Sequence, residues 1–370
     1  MDIPEFINRE KKIREVKAIL SGRPNFVYFV YGPINSGKTA LLMKVCEELS
    51  EEYRIFYINF RGFEGGYQKF TRAFFELGDK GLWEKLKSKM PVISAAVEYV
   101  ERVTKKINTA IELPGEVIRM LQVGGEDPEK IDLFHYLERL MSKLVESGKR
   151  PVLVLDEMQV LKGELNNTGQ PLLARLFNFM VRMTKEIHLC HCLCATSDCL
   201  FIEDVYSNAR LEGRAKYLLV DDLEKEKALK VYKIFNFKNK ELVWDHIGGK
   251  IGDMISLFEE KKRGYKERDA LKRMLYDEIA RLKDFLEAVK EGEKGDVDVE
   301  KVKEALRLLK KGKIEAEEVP RKVRKFLIQE NILFYNPMYG TVRPQGRLLW
   351  RAIGEVIPSI KLLDMDKKPK

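Results

Sequence analysis

No stretch of this 370-residue chain approaches the roughly 18 consecutive apolar residues that a membrane-spanning helix needs. The N-terminus, MDIPEFINREKKI, has no apolar core of the signal-peptide kind, so a soluble, cytoplasmic protein without membrane contact is expected. No internal repeat or low-complexity tract is present, which excludes a solenoid. Cysteine is scarce: there are five, and Cys190, Cys192, Cys194 and Cys199 share the segment HLCHCLCATSDCL. Alternate residues of a strand lie on one face but advance about 6.8 Å per step. Thiolates spread that widely cannot converge on one zinc, and no C-x-x-C pair completes a set. They read instead as small buried side chains of a central strand. Excess charge is absent from the first 260 residues, which hold 39 basic and 39 acidic side chains. The whole net charge of +9 lies in residues 261–370, with 28 basic and 19 acidic, and residues 320–370 alone hold 11 against 4. A neutral body with a basic end predicts an acidic partner for that end, such as nucleic acid.

What the chain does have begins at FVYFVYGPINSGKTALLMKV, residues 26–45. Within it, Gly32 to Thr39 fit the phosphate-loop pattern G-x-x-x-x-G-K-[ST]. The run from Phe26 to Tyr31 predicts a buried strand entering the loop, and the apolar spacing after Thr39 predicts a helix leaving it. In that setting backbone N–H groups at a helix N-terminus wrap a phosphate. The residues expected to hold ATP or ADP are Gly32, Pro33, Asn35, Ser36, Gly37, Lys38, Thr39 and Ala40. Lys38 is placed to neutralise the β- and γ-phosphate oxygens, and the Thr39 hydroxyl to take one position on Mg²⁺.

The rest of the pattern alternates. Ile7 to Leu20 predicts a helix, Arg54 to Phe60 a strand, and Tyr67 to Leu77 and Ile131 to Val145 helices. Residues 79–129 fit helix and strand equally and are taken as an inserted helical subregion. Pro151 to Leu155 is a continuous apolar run, as in a parallel strand covered on both faces. A helix over Pro171 to Lys185, a strand through the cysteines and another over Tyr217 to Val220 follow. Strands and helices alternating after a phosphate loop predict an α/β fold, a doubly wound parallel sheet. From Asp221 the texture turns helical, with a long amphipathic segment over Tyr265 to Val289. Beyond the linker KEGEKGDVDVEK come helices at Val299 to Leu309 and Pro320 to Gln329. Two short strands within NILFYNPMYGTVRPQG and a helix over Gly346 to Val356 complete the chain. The expected domains are a core over 1–220, a helical lid over 221–290 and a winged helix over 291–370.

A phosphate loop needs a second carboxylate to fix Mg²⁺, and Asp156 at the end of an apolar strand meets that need through water. Glu157 follows directly and is the candidate base that polarises the attacking water. An acidic pair of this kind suits hydrolysis rather than transfer to a seated acceptor. Thr196 and Ser197, at the tip of the next strand, are candidate reporters on the γ-phosphate, and Asp198 is a helix N-cap. Arg210 and Arg214 lie beyond that strand, and Arg214 is the candidate catalytic cation, in cis or from a second copy.

The segments FINREKKI, VYGPINSGKTALL, VLVLDEMQ, CATSD and LEGRAKYLLV, in that order, resemble the archaeal ATPase family among STAND-type, AAA+-related phosphate-loop proteins. The resemblance runs from about Phe6 to Phe258. It implies an α/β ATPase core, a helical lid and often a winged helix. It also implies roles for Asn8 and Arg9 near the base and for Gln159 beside the catalytic glutamate. One departure is clear: such proteins carry Gly-Gly-x-Pro in the lid, whereas HIGGKIGDM places Ile251 at the proline position. Three functions are open at this point. The first is an ATP-hydrolysing switch coupled to double-stranded DNA through Arg321, Lys322, Arg324, Lys325, Arg343 and Arg347. The second is a signalling or scaffold ATPase whose winged helix docks protein partners, and the third a replication-initiator-like loading ATPase.

Overall fold

The structure, a computed structural model, describes residues 9–61, 133–166 and 169–357. Asn8, the helix expected over Tyr67 to Leu77 and the 79–129 subregion lie outside the described residues. The described residues form two compact units, one of residues 9–31, 38–61, 133–166 and 169–219 and the other of 32–37 with 220–357. The covalent chain crosses between them twice within the phosphate-loop region and once after Leu219.

The first unit is built on a parallel sheet of β1 (Val27–Tyr31), β2 (Tyr53–Asn59), β3 (Arg150–Asp156), β4 (His191–Thr196) and β5 (Ala215–Leu219). Its spatial order is β2-β3-β4-β1-β5, with every neighbouring pair parallel. Around it lie α1 (Glu10–Ser21), α2 (Lys38–Glu47), α3 (Leu133–Glu146), α4 (Leu172–Val181) and α5 (Cys199–Tyr206). β4 is buried along its whole length and β3 from Pro151 onward, the consequence of helices on both faces of a parallel sheet. All five cysteines are free and buried, but only Cys192 and Cys194 lie in β4: Cys190 precedes it, Cys199 opens α5 and Cys46 is in α2. Desolvation pushes the Cys192 and Cys194 thiols well above their ordinary range. The expected helix over Pro171 to Lys185 is present, its last turn widened to a π-turn over Arg182–Glu186.

Register decides what the sheet presents. Asn59 is level with Asp156, Asp156 with Ala195, and Tyr31 with Thr196. The carboxyl ends of β2, β3, β4 and β1 therefore come out along one edge, where open α/β sheets place their ligands.

The second unit contains α6 (Lys225–Ile234), α7 (Lys240–Ile247), α8 (Ile251–Lys262) and the long α9 (Glu267–Lys290). They are followed by α10 (Val299–Leu308), β6 (Ile314–Glu315), α11 (Arg321–Gln329), β7 (Leu333–Asn336), β8 (Thr341–Pro344) and α12 (Arg347–Val356). The hairpin of β7 and β8 gains a third antiparallel strand from β6, which the sequence pattern had not indicated because it is so short. Val231, Tyr232, Val243, Ile247, Met254, Leu257 and Leu271 form the core of the helical part, and Leu348 of α12 joins it. Phe285 of α9 stacks on Phe326 of α11 with ring centroids 5.8 Å apart. Segments 221–290 and 291–357 thus share one packed body. Among the described residues no helix is long and apolar enough to cross a membrane.

Candidate functional site

The loop starts where β1 ends. Gly32 lies so close to the backbone of Val220 that a Cβ would stand 2.1 Å from its carbonyl oxygen, so only glycine fits there. Pro33 and Ser36 are buried, whereas Asn35 and Ala40 are exposed. Asn35 adopts the left-handed conformation, with φ of 60°. Two groups of the Gly248–Gly249–Lys250–Ile251 region reach this loop: Lys250 Nζ donates to the Ile34 carbonyl at 2.8 Å, and the Gly252 N–H to that of Asn35 at 3.3 Å. Ile251 opens α8, its Cδ1 facing the space where a Gly37 side chain would be.

In the other unit, Lys38 and Thr39 begin α2, and Lys38 is buried. The Thr39 hydroxyl donates to Asp156 Oδ2 at 2.7 Å. The same oxygen accepts from the Tyr57 hydroxyl at 2.8 Å, and Oδ1 accepts the Glu157 N–H at 3.0 Å. Burial, with the Asp156 charge beside it, raises the Tyr57 phenol far above its ordinary range and keeps it a donor. This donor set suits a small hard cation: a hydroxyl oxygen and a carboxylate at the start of a helix. Among the described residues no group of three or more His, Cys, Asp or Glu gathers to hold a metal alone. Phosphate oxygens and water would complete a Mg²⁺ shell, as that ion prefers.

Glu157 follows Asp156 with φ of 59°, an unusual left-handed conformation for glutamate, and is buried. Its Oε1 accepts from Arg61 Nη2 at 2.5 Å, and its Oε2 accepts from Gln159 Nε2 at 2.6 Å and Ser197 Oγ at 3.5 Å. Gln159 Oε1 in turn accepts from the Thr196 hydroxyl at 2.7 Å, while that hydroxyl oxygen accepts the Asp198 N–H at 3.0 Å. Burial works to raise the Glu157 carboxyl. The hydrogen bonds from Gln159 and Arg61, with the charges of Arg61 and Lys38, outweigh it and hold the group below the ordinary range. Glu157, Gln159, Thr196 and Ser197 are thus brought together. Asp198 caps α5, accepting from the Leu200 and Phe201 N–H groups.

Arg61 and Tyr57 were not singled out from the sequence. Both sit on or just past β2, and their approach to the Asp156–Glu157 pair depends on the β2–β3 register. The structure does not bring Arg214 to this cluster. It precedes β5, at the amino end of the sheet, where its carbonyl accepts the Val27 N–H. Its exposed guanidinium donates to the Arg210 carbonyl. Arg9 is the buried N-cap residue of α1.

The basic residues of the C-terminal segment are largely engaged within the protein. Arg343 pairs with Asp221 and, at 3.5 Å, with Asp222, and lies over the Phe334 ring. Arg347 lies over Trp244 and Trp350 with Asp245 at 3.6 Å. Arg324 donates to the Ala316 carbonyl and covers Tyr335, and Lys322 pairs with Asp296 at 3.0 Å. Arg321 and Lys322 are exposed, and Lys325 is half-buried. Arg343 and Arg347 are both held by acidic and aromatic neighbours.

Residues 6–257 match the family described as an ATPase domain predominantly from Archaea. Residues 268–357 match the C-terminal domain of MJ1010-like ATP-binding proteins. Among curated proteins, the ATP-binding protein MJ0075 of Methanocaldococcus jannaschii is 39% identical over 368 residues, spanning 96% of this chain and 99% of its own. A second from that organism, MJ0147, is 40% identical over 375 residues, spanning 95% and 98%. Among solved structures, the Walker-type ATPase PABY2304 of Pyrococcus abyssi aligns over 94% of this chain and 96% of its own, with a TM-score of 0.60 and 16% identity. That likeness is one of fold.

Proposed function

Since this chain belongs to the family of ATPase domains found predominantly in Archaea, we propose that it is a Mg²⁺-dependent ATP hydrolase working as a nucleotide-driven switch. The observation that carries this reading is the contact of Thr39 with Asp156, next to Glu157 at the carboxyl end of the sheet. Magnesium, bound with the nucleotide, would neutralise charge on the β- and γ-phosphates. Lys38 adds a second positive charge to those oxygens. Asp156 orients the Thr39 hydroxyl, and the two together would hold the cation. Glu157 accepts the proton of the attacking water, and Gln159, held by Thr196, fixes the direction of its carboxylate. Within the loop of Gly32 to Ala40, the backbone N–H groups of Asn35 to Thr39 would cradle the phosphates. Glu157→Gln keeps the shape and loses the base, so it should bind ATP normally while turnover falls by about 10²–10⁴. Turnover at the wild-type rate would remove Glu157 from the mechanism.

The basic C-terminal segment supports coupling of the switch to duplex DNA through α11, a nine-residue helix whose Arg321 and Lys322 face solvent. Reversing Arg324 and Lys325 to Glu should weaken duplex binding and flatten its salt dependence, each lost phosphate contact reducing the slope by about one. A second reading has its own observation: Arg343, Arg347 and Arg324 are engaged internally. This favours a docking surface for protein partners. Absence of duplex binding by the wild-type chain at low salt, with and without ATP, would decide for it.

A further inference from the structure

Lys250 stands in the lid motif at the position before the isoleucine that replaces proline. Its side chain is buried, the residue being only 7% exposed, and its stem runs over Gly346, where a Cβ would meet Lys250 Cε at 2.5 Å. The ammonium group donates to the Ile34 carbonyl at 2.8 Å. Its charge is balanced by Asp222, whose Oδ1 lies 4.0 Å away. That oxygen is buried and accepts no hydrogen bond from the described residues, while the other oxygen of the carboxylate, Oδ2, lies 3.5 Å from Arg343 Nη1. A buried amine so arranged is held in a fixed position.

The consequence lies in the geometry of one peptide group. The structure contains no cis peptide among the described residues, and in a planar trans peptide the C=O and N–H point in opposite directions. Pinning the Ile34 carbonyl towards Lys250 therefore aims the Asn35 N–H away from it. The next carbonyl, that of Asn35, is turned to the Gly252 N–H, and Asn35 holds the left-handed φ that such a sequence of peptides requires. The Ser36 N–H donates to the Pro33 carbonyl at 3.3 Å and closes the turn, and N–H groups displayed on one side of such a turn make an anion-binding concavity.

We propose that Lys250 is a positioning residue for the phosphate loop: it holds the Ile34–Asn35 peptide so that the loop N–H groups address the nucleotide phosphates, without itself touching the nucleotide. The proposal rests on the reading of Gly32 to Ala40 as a nucleotide cradle. An orienting role acts on the diphosphate common to ATP and ADP, so the two nucleotides should be affected alike.

The test uses the full chain, with Kd for Mg·ATP and Mg·ADP from titration calorimetry and KM and kcat from phosphate release. Lys250→Met keeps the stem and removes charge and donor. It should weaken both nucleotides about tenfold, the effect of one misaimed hydrogen bond to a charged group, with kcat within twofold of wild type. Lys250→Arg, which restores charge and donors, should recover most of the affinity. If Lys250→Met does not fold, as judged by circular dichroism and melting, Lys250→Gln is measured against the same expectations. Unchanged affinity in the folded variant overturns the proposal. So does loss of ATP affinity alone, or a fall in kcat at saturation, because either places Lys250 on the γ-phosphate. Lys38→Ala is the control on the underlying reading. If that variant binds nucleotide like wild type, the cradle itself is misassigned, whatever Lys250 does.

Discussion

Arg61→Ala should increase basal ATP turnover. The proposed base, Glu157, is held on both oxygens, by Arg61 at 2.5 Å and by Gln159 at 2.6 Å. A carboxylate can take a proton only as far as its lone pairs are available and its charge is not already stabilised. The Glu157 side chain is 9% exposed while that of Arg61 is 75% exposed, so solvent screens the pair from the arginine side. An exposed pair is worth roughly 0.2–1 kcal/mol, which at room temperature is a factor of about 1.4 to 5, and the buried carboxylate places this pair in the upper part of that range. Removing the guanidinium should therefore raise kcat about two- to fivefold at saturating Mg·ATP. It should also move the acidic limb of the pH–rate profile upward, because Arg61 is among the groups that hold the Glu157 carboxyl down. Gln159 remains to orient the base, so KM should change little. The assay is steady-state phosphate release from pH 3 to 8, which spans the acidic limb of a carboxyl held below its ordinary range, with melting curves at each pH to verify folding. A tenfold or greater fall in kcat would show that Arg61 acts on the reaction directly, and an unmoved acidic limb would remove Glu157 as the titrating base.

Asp253, at the start of α8, has its carboxyl raised to about 7, by burial first and by Asp222 and Glu278, with Lys250 and Arg281 opposing. A folded pKa above the unfolded one gives stability that is present below about pH 4 and lost as pH rises through about 7. The melting temperature of Asp253→Asn relative to wild type should therefore increase between pH 5 and pH 8, and a flat difference would refute the assignment. If Arg214 serves a neighbouring copy, turnover per chain should rise with protein concentration. Mixing Arg214→Ala with Glu157→Gln should then recover activity that neither has alone, whereas a rate flat across a hundredfold dilution would leave Arg214 without a role in trans.

The parts of this protein legible in its sequence are those in which neighbouring residues share one local task. The phosphate loop, the apolar strand ending in Asp156 and Glu157, the Asp198 cap and the buried cysteines of β4 each depend on contiguous residues. Their spacing states the local geometry directly. Strands alternating with helices also imposed the parallel sheet, because parallel neighbours need a crossover. Tertiary structure alone decided which distant side chains meet those local elements. Arg61 finds Glu157 across 96 positions because β2 and β3 pair with Asn59 level with Asp156. Lys250 reaches Ile34 across 216 positions, and Arg343 reaches Asp221 across 122. No local periodicity encodes such meetings. A lysine or arginine looks the same in the sequence whether it faces solvent or is folded against a buried carboxylate, and only packing separates the two.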